Sequence, residues 1–386
     1  MPKDGDRVEI KTAEETLEGI LLPRPKILGE NIVVLKLDNG YNIGIDKKRI
    51  TSMKTKKSYT APKQKKTKIQ PDPKLPTVAL LSFGGTISSK VDYKTGGVVA
   101  EYDAADILAM CPEIESIANV IPEKAASMMS EDMDAKDWSL MARKIKKKLD
   151  DPNIAGVVVT QGTDTLHFST AAVSFMLENI NKPIIFTASQ RSIDRGSSDA
   201  FMNLSCAIIA AARFDGSVVA TCMHATSNDD HCILIRGTKV RKMHTSRRDA
   251  FRPINDLPLA EVRTTGDVKI INDNYPKRNG NSVQIKDAFQ EKTALVQIYP
   301  GITPDQIDLF IRNGYEGLVL SATALGHVPT LHKDNSLVPT LKEAIDADMT
   351  VVIASQTLYG RTHPYVYSNL RKLSVELGCL FAEDMT

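Results

Sequence analysis

Aromatic side chains are scarce in this sequence, at 5% of 386 residues with a single Trp. No aromatic–glycine pattern of the kind that stacks nucleobases is present. Cysteine is sparse too. Cys111, Cys206, Cys222, Cys232 and Cys379 show no CxxC spacing. They read as reduced, buried thiols of a cytoplasmic protein. Cys222, His224, His231 and Cys232 raise the thought of zinc, but neighbours His231 and Cys232 point to opposite sides of a strand, so no metal is expected. No apolar run reaches the length of a membrane span. The first residues, Met1-Pro2-Lys3-Asp4-Gly5-Asp6, have no apolar core behind them, so no signal peptide is expected. A net charge of +2 excludes a strongly acidic or basic protein, though not a local patch. No internal repeat is evident.

What is present divides along the chain. Residues 6–50 alternate apolar and charged positions through Val8, Ile10, Leu17, Ile20, Leu22, Ile32–Leu35, Tyr41, Ile43 and Ile45. Asp38-Asn39-Gly40 is a hairpin signal, since Asn-Gly suits a type I′ turn. Four or five short strands in about fifty residues predict a small SH3-like β-barrel over 1–52. A Lys/Pro-rich stretch follows, read as a linker over 53–75, with Lys54, Lys56, Lys57, Lys63, Lys65, Lys66 and Lys68. It is either a solvated tether or a strip that contacts RNA phosphates or an acidic partner.

From Pro76 strands and helices alternate. Strands are expected at 77–83, 155–160, 183–188 and 217–222. Helices are expected near 102–111, 134–150, 165–179 and 199–213, with Asp134 and Ser198-Asp199 as N-caps. A looser polar stretch spans 252–291. A shorter series then has strands near 293–298, 316–321 and 350–355. Its helices start at Thr303-Pro304-Asp305-Gln306, read as a capping box, and again near 338 and 366. This βαβ pattern predicts two α/β domains, a larger one over 76–270 and a smaller one over 271–386, each with a mostly parallel sheet.

Two strand ends carry the chemistry. Gly156–Thr160 is a short apolar run that ends in Gln161-Gly162-Thr163-Asp164-Thr165. Val78–Phe83 ends in Gly84-Gly85-Thr86. In open α/β sheets ligands bind at the carboxyl ends of the strands. Either turn alone is ordinarily a strand-to-helix connection with a Thr or Asp cap. Together they offer two threonine hydroxyls, glycine-freed backbone N–H donors and a carboxylate. Lys242, buried beside Asp164, could accept a threonine proton; spacing alone does not bring the two together.

These motifs resemble the asparaginase/glutaminase family of the bacterial L-asparaginase type. The matching residues are Phe83-Gly84-Gly85-Thr86-Ile87, Gln161-Gly162-Thr163-Asp164-Thr165, and Lys242 followed by Thr245 and Asp249-Ala250-Phe251. The match runs from about 76 to 386. It implies an asparaginase-type two-domain α/β fold and hydrolysis of glutamine or asparagine, with Thr86 as nucleophile. It further implies a second cluster of Thr163, Asp164 and Lys242, and an assisting loop tyrosine, Tyr93. Ser130 and Glu131 match the segment that holds the substrate's α-carboxylate and amino group, although many stand-alone enzymes carry Gln at the second position.

The added N-terminal unit and basic stretch are similar to those of the D subunits of archaeal glutamyl-tRNA(Gln) amidotransferases. That resemblance implies a glutaminase which supplies ammonia to a partner, the E subunit of the amidotransferase. The partner would convert Glu-tRNA(Gln) with ATP and Mg, and this chain would hold no cofactor. It also implies a homodimer within a heterotetramer, and contact with tRNA(Gln) through the complex. Leu325 stands where stand-alone enzymes often place an Asn that completes a neighbour's site. The C-terminal domain ends early against the family, which reads as a truncation. The alternatives are a free-standing asparaginase and an inactive scaffold.

Overall fold

The structure is a computed structural model that describes residues 2–24, 29, 31–38, 41–59, 71–85, 89–91, 98–100, 111–193, 197–331 and 333–386. At the N-terminus β1 (Arg7–Thr12), β2 (Thr16–Leu22), β3 (Ile32–Lys36), β4 (Asn42–Asp46) and β5 (Ile50–Lys57) form one antiparallel sheet, ordered β4-β3-β2-β1-β5. Alternation puts Val8, Ile10, Leu21, Val33, Leu35 and Ile45 on its apolar face. The hairpin closes with the Leu37 N–H donating to Tyr41 O at 2.8 Å, while Asn39 and Gly40 lie outside the described residues. The pairings establish a five-stranded antiparallel sheet; the expected SH3-like closure is not among the pairings of the described residues. β5 also extends through Lys57 and pairs with β1, so Lys54, Lys56 and Lys57 stand on a strand, not in the linker. Lys63, Lys65, Lys66 and Lys68 lie outside the described residues.

The large domain begins with β6 (Thr77–Gly84), whose apolar residues are all buried. A hairpin of β7 (Ser89–Val91) and β8 (Val98–Ala100) precedes β9 (Asn119–Met128). Then come α1 (Ala135–Leu149), β10 (Ile154–Thr160), α2 (Leu166–Met176), β11 (Leu177–Glu178), β12 (Ile184–Thr187), α3 (Ala200–Arg213) and β13 (Val219–His224). β14 (Cys232–Arg236), β15 (Val240–Lys242), β16 (Phe251–Pro253), β17 (Ala260–Val262), β18 (Val268–Ile270) and β19 (Gln284–Ile285) complete it. The helix expected near 102–111 falls outside the described residues, except for Cys111.

Eight strands form one sheet in the order β18-β17-β14-β13-β12-β10-β6-β9. Five of them, from β9 to β13, are parallel; β14, β17 and β18 are added through successive antiparallel pairings, so the sheet is mixed. One face is covered by α3, the other by α1 and α2. α1 starts as its sequence demands. Asp134 accepts from the Lys136 and Asp137 N–H groups, and the Asp137 carboxylate accepts in return from the Asp134 N–H, a full capping box. Of the Ser198-Asp199 pair, Ser198 Oγ accepts from the Ala200 N–H at 3.2 Å, whereas Asp199 does not cap α3 through its side chain. It is fully buried and accepts from the Gln190 and Arg191 N–H groups and from Asn203 Nδ2.

The small domain is a parallel four-stranded sheet, β20 (Thr293–Gln297), β21 (Gly317–Ala322), β22 (Thr350–Ser355) and β23 (Leu380–Phe381). It is packed by α4 (Asp305–Arg312), α5 (Val338–Asp346) and α6 (Ser368–Arg371) around Leu318, Leu320, Leu341 and Ile353. The Thr303 capping box does not form. Pro304 is the cap, without a side-chain bond, and the Gln306 amide donates to the Tyr299 hydroxyl.

Candidate active site

Parallel pairing places the two motif-bearing strand ends side by side. Val159 sits opposite Leu81 and Thr160 opposite Ser82. β6 and β10 therefore end together. The Gly84-Gly85 turn lies directly on the Gln161-Gly162 backbone. A Cβ on Gly85 would overlap Gly162 N and Gln161 C, and the Gly85 φ is +86°. Only glycine satisfies both demands. Gly162 is as tightly held: a Cβ there would meet Ser130 Oγ at 2.6 Å. Three segments thus converge, and Ser130 is buried beneath them.

Beyond Gly162 the chain turns into α2. Thr165 Oγ1 donates to Ser130 O at 2.6 Å, and no side chain caps the helix. Thr163 and Asp164 are therefore not spent as caps. Lys242, the last residue of β15, reaches both: Nζ donates to Thr163 Oγ1 at 2.8 Å and to Asp164 Oδ1 at 2.7 Å. The lysine side chain is 10% exposed and the aspartate 65%, so the cation approaches from the protein side and the carboxylate faces solvent. Because the ammonium donates to Thr163 Oγ1, the threonine's own proton is directed elsewhere. Such a trio can pass a proton between an incoming hydroxyl and the lysine while the carboxylate holds a cationic group.

Thr86 and Tyr93 lie outside the described residues. Gly85, the residue before Thr86, is against Gly162. Glu131 is exposed beside Ser130, whose Oγ is 3.4 Å from Glu131 Oε2, at the outer limit of a hydrogen bond. The remaining motif, Asp249-Ala250-Phe251, braces the lysine strand. Ala250 and Phe251 are fully buried, and the Met243 N–H donates to Ala250 O at 2.7 Å. Asp249 is buried and accepts two bonds from Arg247, each 2.8 Å, and another from Arg252. Leu325 is half-buried in a turn, and its carbonyl accepts from the His363 N–H.

One nearby residue outside the motifs has a specific setting. His167, in the first turn of α2, keeps a buried Nδ1 without a partner. Burial, then the charges of Arg241 and Lys242, push its pKa down to about 4. The imidazole beside the cluster is thus neutral near pH 7. Its position next to β15 gives no signal in sequence, since the two are over seventy residues apart. His224 lies across from Cys232 but bonds to Asn203 Oδ1 at 2.6 Å and Asp229 Oδ1 at 3.0 Å. Among the described residues no group of three His, Cys, Asp or Glu is placed to hold a metal.

Comparison with known proteins agrees with this geometry. Residues 77–275 match the family "Asparaginase, N-terminal", residues 292–386 the "Glutaminase/Asparaginase C-terminal domain", and residues 3–54 the "GatD N-terminal domain". The chain is similar to the D subunit of the glutamyl-tRNA(Gln) amidotransferase of Pyrococcus furiosus, 42% identical over 99% of this chain and 84% of that protein. It resembles the D subunit from Methanothermobacter thermautotrophicus at 42% identity, over 99% of this chain and 86% of that one. Among solved structures, the thermostable L-asparaginase from Thermococcus kodakarensis aligns with a TM-score of 0.70 at 26% identity, covering 80% of this chain and 89% of that one. L-asparaginase I from Vibrio cholerae aligns with a TM-score of 0.68 at 26% identity, covering 81% and 89%. The large and small domains are thus the N- and C-terminal domains of an asparaginase-type fold, and the chain belongs to the family of glutamyl-tRNA(Gln) amidotransferase D subunits.

Proposed function

We propose that the chain is the glutaminase component of a tRNA-dependent amidotransferase. It releases ammonia from glutamine, or asparagine, for a partner of the E type that converts Glu-tRNA(Gln) to Gln-tRNA(Gln) with ATP and Mg. The observation that carries the reading is the Lys242 bridge between Thr163 and Asp164, set against the Gly85–Gly162 contact. Thr86 attacks the side-chain carboxamide carbon, and the C–N bond breaks. Ammonia leaves with the proton taken from the hydroxyl, and a glutamyl ester remains on Thr86. Water then attacks that ester, giving glutamate and restoring the hydroxyl. Thr163 and Lys242 handle the protons. Asp164 and Glu131 face the substrate ammonium, Ser130 the α-carboxylate, and Tyr93 assists the leaving group.

In this reading the N-terminal sheet and the basic stretch serve the complex, not the hydrolysis. The relatives similar over nearly the whole of this chain, its N-terminal region included, are named as amidotransferase subunits, which favours this over a free-standing asparaginase. We read the N-terminal sheet as an SH3-like docking unit, the assembly as a homodimer of this chain with two E-type partners, and its place as the cytoplasm. No helix among the described residues is long and apolar enough to cross a membrane. The test is ammonia release from glutamine by the purified chain, alone and with the E-type partner, ATP, Mg and Glu-tRNA(Gln). Stimulation by the full mixture is expected. A full rate from the lone chain, indifferent to partner and tRNA, selects the free-standing enzyme.

A further inference from the structure

β15 and β16 form a sheet of their own, two strands of three residues each. An isolated pair of that size is marginal without outside support. Yet β15 ends in Lys242, whose ammonium must meet two small oxygen targets. Something beyond the pairing has to fix this hairpin.

Part of the support is apolar: Val240, Ala250 and Phe251 are buried in the large-domain core. The rest comes from the small domain. Asn255, two residues past β16, has φ +54°, a left-handed conformation that Asn adopts more readily than most residues. Its amide is committed wholly to the small-domain backbone. Nδ2 donates to Leu358 O at 3.3 Å, Gly360 O at 2.9 Å and Asp384 O at 3.1 Å. Oδ1 accepts from the Gly360 N–H at 2.8 Å. These acceptors come from two separate segments, one after β22 and one after β23. At the same open end of the hairpin, on the segment facing Asn255, Lys239 Nζ pairs with Asp384 Oδ1 at 2.6 Å. The Ile254 N–H donates to Lys239 O at 2.8 Å and ties both anchors together.

We propose that Asn255 is a positioning residue: with Lys239 it latches the small domain onto the β15–β16 hairpin and so sets where the Lys242 ammonium stands. Lys239 and Lys242 are three residues apart on one extended segment, about 10 Å. A shift of the anchor is therefore passed along β15 with little slack. A sub-ångström error at Nζ would lengthen both bonds to Thr163 and Asp164 at once. This proposal rests on the glutaminase reading for its kinetic consequence but not for the latch itself.

The chain is tested as Asn255→Gly, which removes the amide while leaving the left-handed backbone unstrained, and as Asn255→Asp. The carboxylate still accepts from the Gly360 N–H but faces three carbonyl oxygens. Amide hydrogen exchange is read at Met243 and Ile254, together with kcat and KM for glutamine. Faster exchange at those two amides is expected, with unchanged exchange in β6 and β10. A kcat lower by about ten- to a hundredfold is expected with little change in KM. In a Lys242→Met background, Asn255→Gly should cost nothing more. Asn255→Asp should be no better than Asn255→Gly. If either Asn255 variant fails to fold, Lys239→Met provides the same readouts through the other anchor. Wild-type exchange at Met243 and Ile254 in the folded variants overturns the latch. Normal kcat despite loosened exchange overturns its role in setting Lys242. A wild-type chain without glutaminase activity would sink the functional reading, and the exchange data would still decide the latch.

Discussion

At the scale of the residue, the site depends on what surrounds each reactive group. Lys242 donates to Thr163 and Asp164 together, so neither partner acts alone. Lys242→Met and Asp164→Asn should each lower kcat for glutamine by about a hundredfold to ten-thousandfold. The double variant should lose little more, because groups that act as a unit are not additive. Steady-state kinetics on the three variants checks this; losses that multiply would assign the two residues separate roles. His167 supplies a pH signature. Its folded pKa of about 4 lies below the ordinary value of 6.5, so the unfolded chain binds this proton more readily. The stabilisation is fully present above about pH 6.5 and is lost as the pH falls toward about 4. Denaturant titrations across that window should show stability falling with acid, and His167→Gln should flatten that fall. An unchanged pH slope in the variant would place the imidazole in water.

Elements were legible in the sequence where a local pattern decides them, and illegible where distant partners do. Asp134 was readable as a helix N-cap and serves as one, while the return bond to Asp137 that completes a capping box was not read from the sequence. Asp199 spells a cap just as well but is drawn inward by the Gln190 and Arg191 amides, partners that lie outside the helix it precedes. The strand ends at Gly85 and Gly162 were readable as glycine turns, while their contact follows from the register of β6 on β10. Lys242 beside Asp164 came from family resemblance, since 78 positions separate the two. Arg278 gave no signal at all. Its half-buried guanidinium donates to Phe214 O at 2.8 Å, Ala211 O at 2.9 Å, Ala212 O at 3.2 Å and Ala155 O, and so closes the C-terminal end of α3. Arg278→Met would leave several buried carbonyls without donors, a loss of about 2–4 kcal/mol. Thermal or denaturant unfolding measures it; a change below about 0.5 kcal/mol would mean that water replaces the guanidinium.

For the whole molecule, the division into an N-terminal sheet and two α/β domains was visible as shifts in composition and period. The mixed character of the large sheet was not, because β14, β17 and β18 are short and their antiparallel pairing, β17 on β14 across the intervening β15–β16 sheet, is not written in any local pattern. One lysine of the basic stretch is already engaged. Lys56 is paired with Glu9 at 2.8 Å, so not every lysine there is available to a phosphate. Replacing Lys54, Lys57, Lys65, Lys66 and Lys68 with Gln should flatten the salt dependence of tRNA binding by the assembled complex, and adding Lys56→Gln should flatten it little further. A slope unchanged by all six would leave the stretch a plain tether.

The threonine after Gly84-Gly85 is the proposed nucleophile of an amidohydrolase whose proposed proton-handling cluster is Thr163, Asp164 and Lys242. Ammonia release from glutamine by the complex of this chain with the proposed E-type partner, with ATP, Mg and Glu-tRNA(Gln), tests this assignment, comparing the wild-type chain with Thr86→Ala. The variant is expected to fold, to bind the same partner as the wild-type chain and to lose at least about a thousandfold in rate. A folded Thr86→Ala chain that still releases ammonia at the wild-type rate would contradict the assignment.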